Sequence, residues 1–229
     1  MSIDLTGITN KNEYYTNHYF STIFEENAGE AITAWAQAAK SSEEIRTPWA
    51  QLRQNARQFY PLHDRYAGGA LNLQLLAAIR TMADRYLASL GYPEAAPELV
   101  PVDVSLSVPV YLEMKKSNGA PLLWVMLSAS RESDAGILES NVFDGNIAEE
   151  DAFGAVHSDD LLELKNEDLA TQILFGAAEP PRFLLFISLN QIALIDRNKW
   201  SEKRYLQFEL EDIFSRLELT TLQAMVVLL

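Results

Sequence analysis

Apolar positions along this chain change period three times, and each change marks a new kind of element. Residues 1–17 are polar, with paired Tyr14-Tyr15, and read as an arm. From about His18 to Lys40, Tyr19, Phe20, Ile23 and Phe24, then Ala31, Ile32, Trp35 and Ala38, recur at helical spacing, with Gly29 placed to split the run. Ser41-Ser42 before Glu43-Glu44 has the character of a helix start. Trp49, Leu52, Ala56 and Phe59 then share one face, which the pattern ends at Pro61. After Gly68-Gly69, Leu71, Leu75, Ile79, Met82, Tyr86 and Leu90 form the cleanest amphipathic stripe, stopped by Gly91 and Pro93. The pattern predicts a helical extension over residues 1–91.

Beyond the linker Tyr92–Pro97 the period shortens. Strands are predicted at about 99–106, 108–115 and 121–129, the last two joined by the turn Ser117-Asn118-Gly119. Pro121 to Ala129 is almost continuously apolar, so both faces of that strand should be buried. Residues 131–160 are acidic and glycine-punctuated, which predicts a mobile loop or lid. Helical spacing returns over 159–175. Pro180-Pro181 breaks the chain before a second hairpin, 182–189 with 191–195, closed by Asp196 to Trp200. Residues 203–229 read as mainly helical. Helices mixed with hairpins and one crossover predict an α/β core over 92–229 behind the helical extension. The apolar stretch Leu222 to Leu229 lacks a polar stop, which predicts a domain cut from a longer chain.

Composition narrows the options. The 229 residues are 48% hydrophobic, enough to bury a core. Cysteine is absent, which excludes disulfides and thiolate metal sites and fits a reducing cytoplasm. The start has no basic region followed by an apolar stretch, and no run approaches the roughly 20 residues of a membrane span. Net charge is −14, which argues against tight DNA binding by this chain alone. The excess is local: residues 91–180 carry 17 acidic against 4 basic groups, while residues 1–90 carry 9 against 8.

One constellation points to chemistry. Alternation puts Tyr111, Glu113 and Lys115 on one strand face, with Asp103 on the preceding strand. Two carboxylates that converge can hold Mg²⁺, which prefers oxygen ligands, and a lysine beside them can orient water or stabilise charge on a scissile phosphate. Glu43, from a preceding helix, is placed to complete such a shell. The alternative is an exposed acid–lysine pair on a solvated strand. The same acid-x-Lys spacing recurs at Glu163-Leu164-Lys165 in a helical context. Arg197, Lys199, Lys203 and Arg204, interleaved with Trp200 and Tyr205, are the candidate DNA contacts. Their alternative is a solvated turn with Trp200 in the core. Arg46, Arg53 and Arg57 form a second basic stripe at helical spacing, expected to pair with neighbouring acids. His18, His63 and His157 lack metal-ligand spacing. No phosphate-binding glycine loop, nucleophile elbow or Asn-Pro-Pro-aromatic tetrapeptide is present.

The segment Pro180-Pro181-Arg182-Phe183-Leu184-Leu185-Phe186, with Gln191 to Trp200 and the hairpin Val110 to Leu127 around Leu123-Trp124-Val125, resembles the N-terminal region of large bacterial type IIS/IIG restriction–modification polypeptides. These are single chains related to phage-defence DNA methyltransferases, and the resemblance covers most of residues 15–229. It implies a restriction-endonuclease-like core, of the Pro-Asp…Asp/Glu-x-Lys class in many members. It also implies DNA as partner of the full-length protein. An adenine-specific methyltransferase region, and with it S-adenosylmethionine, would lie in the part that follows. Carried over residue by residue, Asp103 and Glu113 would hold Mg²⁺ and Lys115 would act beside them. Val102 separates Pro101 from Asp103, so the Pro-Asp pair is broken. That leaves open a degenerate module that docks onto the methyltransferase region or a partner subunit.

Overall fold

The computed structural model describes residues 4–42, 45–68, 72–104, 106–129, 136–142, 161 and 164–229. The chain opens on strand β1 (Ile8–Lys11), a π-helical turn (Tyr19–Ile23) and helices α1 (Phe24–Ser41), α2 (Pro48–Gly68) and α3 (Leu73–Leu90). Strands β2 (Glu98–Pro101), β3 (Ser107–Val110), β4 (Leu112–Lys115) and β5 (Pro121–Leu127) follow. Helix α4 (Asn166–Gly176) crosses over to β6 (Phe183–Ile187) and β7 (Gln191–Asp196). A short turn α5 (Arg197–Trp200), strand β8 (Tyr205–Glu209) and helices α6 (Leu210–Arg216) and α7 (Leu219–Leu228) complete the fold.

The architecture is mixed α/β, with helices flanking a six-stranded sheet of order β1-β8-β7-β6-β5-β4, beside a two-stranded β2-β3 hairpin. Among the described strands only β5 and β6 pair in parallel, a pairing that needs a crossover connection, here carrying helix α4. The continuous apolar run expected at β5 is buried from Leu123 to Leu127, as a strand covered on both faces requires.

Asn72 caps α3 by accepting from the Leu75 N–H, and Gly91 ends it at φ +86°. Leu75, Ile79, Met82 and Tyr86 of its stripe are buried; Leu71 and Glu43 lie outside the described residues. Helix α2 starts at Pro48, a position that tolerates a missing N–H, rather than near Ser41. It also runs through Pro61 instead of ending there. Pro61 is exposed, and Leu62 and Tyr66 beyond it continue the buried face of Leu52, Ala56 and Phe59, so packing outweighs one lost backbone bond. Gly29 sits inside an unbroken α1.

Three further differences matter. The polar arm contributes β1, paired antiparallel to β8 with Ile8 opposite Phe208. The segments 1–91 and 92–229 therefore share one sheet, and one apolar cluster draws on both. Residues 203–229 contain strand β8 before their helices. The apolar end is α7, whose residues Thr221 to Val226 and Leu228 are buried where it packs on α1 and α2. A helix covered on all sides needs no polar face. Most of the acidic stretch 131–160 lies outside the described residues; its part 136–142 buries Ile137, Leu138 and Val142.

Candidate functional site

Strand β4 is the edge strand next to β5, and its register sets Glu113 directly opposite Trp124. Cross-strand neighbours lie on the same face, so the two side chains meet. The Trp124 indole N–H donates to Glu113 Oε1 at 3.0 Å, and Lys115 Nζ lies 2.9 Å from Glu113 Oε2. Both carboxylate oxygens thus already have a donor. Glu113 is 21% exposed and Lys115 57% exposed. The hydrogen bond from Lys115 to Glu113 and the charge of that carboxylate hold the ammonium above its ordinary value; Glu98 and Glu179 add to the effect. A lysine shifted that way keeps its proton at neutral pH.

These groups line a cleft of about 400 Å³ between β2, the β4–β5 hairpin and the segment after α4. Glu98, Glu113 and Glu179 supply the acid, Lys115 the cation, and Leu99, Pro121 and Trp124 the apolar wall. Sequence reading found Glu113 and Lys115 but missed Trp124, Glu98 and Glu179 as partners. The signal for Trp124 lay in the turn Ser117-Asn118-Gly119, which fixes the register. Nothing local marks Glu98 or Glu179.

Asp103 is not in this cleft. It sits in the turn between β2 and β3, whose register pairs Pro101 with Ser107, and its Oδ1 accepts from the Leu106 N–H at 2.9 Å. Pro101, two residues before it, lines the cleft with Glu113, but Asp103 itself lies beyond, in the turn. The bend between β3 and β4 falls at Tyr111, whose backbone N–H bonds to Val125 while its hydroxyl donates to Asp84 at 2.5 Å. Tyr111 therefore turns towards α3 and away from Lys115.

Asp103 is thus not among the described residues that line the cleft with Glu113, and among the described residues no group of three or more His, Asp or Glu side chains converges to hold a metal.

The predicted DNA contacts are engaged within the fold. Lys199 Nζ donates to the Tyr14 carbonyl at 2.6 Å and lies over the rings of Tyr14 and Tyr15. Burial holds it below its ordinary value. Arg197 donates to the Pro180 carbonyl, Lys203 pairs with Glu167 at 2.8 Å above the Trp200 ring, and Arg204 pairs with Glu202. Trp200 is buried, its indole N–H donating to Thr171 Oγ1. This cluster ties the segment after β1, helix α4 and the turn before β8 together around α5.

Fold and site define a mixed α/β protein with an acid–lysine–tryptophan cleft at one sheet edge. Comparison with protein families, curated proteins and solved structures returns no match for this chain. Among the described residues no helix is long and apolar enough to cross a membrane.

Proposed function

We propose that this chain is a non-cutting module of a restriction–modification or phage-defence polypeptide, built on a nuclease-like α/β core whose Glu113–Lys115 pair is structural. The observation that carries this reading is the occupancy of the two acids. Both oxygens of Glu113 accept from the protein's own side chains, and Asp103 caps its own turn at the far end of the hairpin. Such a module would dock onto a DNA-binding methyltransferase region or a partner subunit. The exposed side chains of Val104 and Phe175 support that role. They flank the junction where Val102 packs against Gly176, at the hairpin tip and the end of α4. In the polypeptide that carries this chain, Glu113→Ala is expected to leave phage restriction unchanged while the protein stays folded. Loss of restriction with an intact fold would contradict the proposal.

A Mg²⁺-dependent endonuclease is the second reading, and one observation favours it. Glu98 and Glu179 reach Lys115 in the same cleft as Glu113, so acid does gather there. In that reading Glu98 takes the place expected of Asp103, and Glu98→Ala would abolish metal-dependent DNA cleavage.

A further inference from the structure

The chain carries a net charge of −14, yet one groove on it has no carboxylate among the described residues of its lining. It runs between α2 and α3 as two adjoining cavities of about 470 and 320 Å³ that share Gln58 and Arg85. Arg46 stands at one end, Arg85 in the middle and Arg65 at the other end. From Gln51 to Arg65 the α2 wall is about 20 Å long at the rise of an α-helix.

Three features make this groove an anion surface. Among the described residues its cations are uncommitted: the side chains of Arg65 and Arg85 make no ion pair there, and that of Arg46 meets the Gln54 amide oxygen at 2.8 Å. The nearby acids point elsewhere. Asp84 is bonded to Tyr111, and Asp64 lies beside His63, which itself faces Glu211 of α6. The floor is fixed, because buried Asn55 donates to Ser89 Oγ and to the Arg85 carbonyl. Gln51, Gln54 and Gln58 add side-chain amides, which bond phosphate oxygens without reading sequence.

We infer that the α2–α3 groove docks the phosphodiester backbone of a nucleic-acid duplex. A row of guanidinium groups suits phosphates, which accept their paired N–H donors. No aromatic side chain is among the described residues that line the groove, and these offer no stacking platform for the unpaired bases of a single strand. The groove shares no lining residue with the Glu113 cleft and functions whether or not that cleft has any chemistry.

The test is fluorescence anisotropy of a labelled DNA duplex of unrelated sequence, titrated with the whole chain at low salt. Saturable binding is expected. It should weaken about 10- to 40-fold between roughly 50 and roughly 200 mM salt, as the release of counterions from two to three phosphates requires. Arg65→Glu with Arg85→Glu should abolish binding, and Arg65→Gln with Arg85→Gln should weaken it if the charge reversal disturbs folding. Lys116→Glu, on the exposed β4–β5 turn, should leave it unchanged. Several outcomes would overturn the inference. They are absence of wild-type binding at low salt, equal loss with Lys116→Glu, and tighter binding of single strands than of duplex. Displacement of the duplex by polyglutamate at matching charge concentration would assign the groove to an acidic protein segment instead.

Discussion

At the residue scale, Glu113 gathers most of the site's interactions. Its carboxylate accepts from an indole and an ammonium on the same sheet face, and a hydrogen bond to a charged acceptor contributes about 1.5–3 kcal/mol where water is excluded. Part of Glu113 remains exposed, so a double-mutant cycle of Glu113→Gln and Trp124→Phe should give a coupling of about 1–2 kcal/mol. A coupling near zero would mean that the indole contact does not hold the carboxylate. Asp196 is the second such anchor. It accepts from Arg182 Nε and Nη2 at 2.7 and 2.8 Å and from the Asn198 N–H, and it is almost fully buried. Asp196→Ala should destabilise the fold by about 2–3 kcal/mol in urea denaturation. That is less than the ~3–5 kcal/mol of a fully buried pair, because the Arg182 side chain left behind is 36% exposed.

At the element scale, β1 is the least expected strand. Gly7, at φ +77°, turns the chain into it, and Glu209 donates its N–H to the Gly7 carbonyl. A Cβ at Gly7 would lie 2.8 Å from Ile213 Cγ1 and 3.2 Å from the Glu209 oxygen. Gly7→Ala should therefore cost about 2–4 kcal/mol, from left-handed strain and overlap together, and lower the urea midpoint. An unchanged midpoint would mean that β1 contributes nothing to the sheet's edge.

The same element shows what was legible in the sequence. The α3 stripe, the buried β5 run and the β6–β7 hairpin carry strong local patterns with clear stops, and all appear as read. Strand β1 is four residues of unremarkable composition, made a strand by the exposed edge of β8. Strand β8 itself, Tyr205–Glu209, is too short to stand out from the helical spacing that follows it. The length of α2 was missed because Pro61 carries a strong local signal that buried Leu62 and Tyr66 override. At the candidate site the same division holds. Alternation alone brings Glu113 to Lys115, whereas the place of Asp103 depends on the β2–β3 register, which puts it in the turn between them.

At the scale of the whole molecule, helices and sheet bury a common set of tyrosines, and these link stability to pH. Tyr14 and Tyr86 are pushed above the ordinary value of 10.0 by burial, and Tyr111 by burial and then by its bond to Asp84. Each therefore keeps its proton in the folded state at pH values where the unfolded chain loses it. The folded state binds more protons above pH 10.0, so this contribution is complete below that value and declines as pH rises beyond it. Lys199, held below its ordinary value, acts in the opposite sense but is one group against several tyrosines, Tyr15, Tyr92 and Tyr205 being raised by burial as well. Urea denaturation as a function of pH should show stability falling above about pH 10, less steeply in Tyr111→Phe. A flat or rising profile would contradict the assigned burial.

Calorimetric titration of Mn²⁺ into the wild type and Glu113→Ala bears most directly on the non-cutting reading. With Glu113 held by Trp124 and Lys115 and with Asp103 at the hairpin tip, neither protein is predicted to bind the ion saturably, and both are predicted to remain folded. Saturable binding to the wild type that Glu113→Ala abolishes would contradict the account and make the cleft a metal centre.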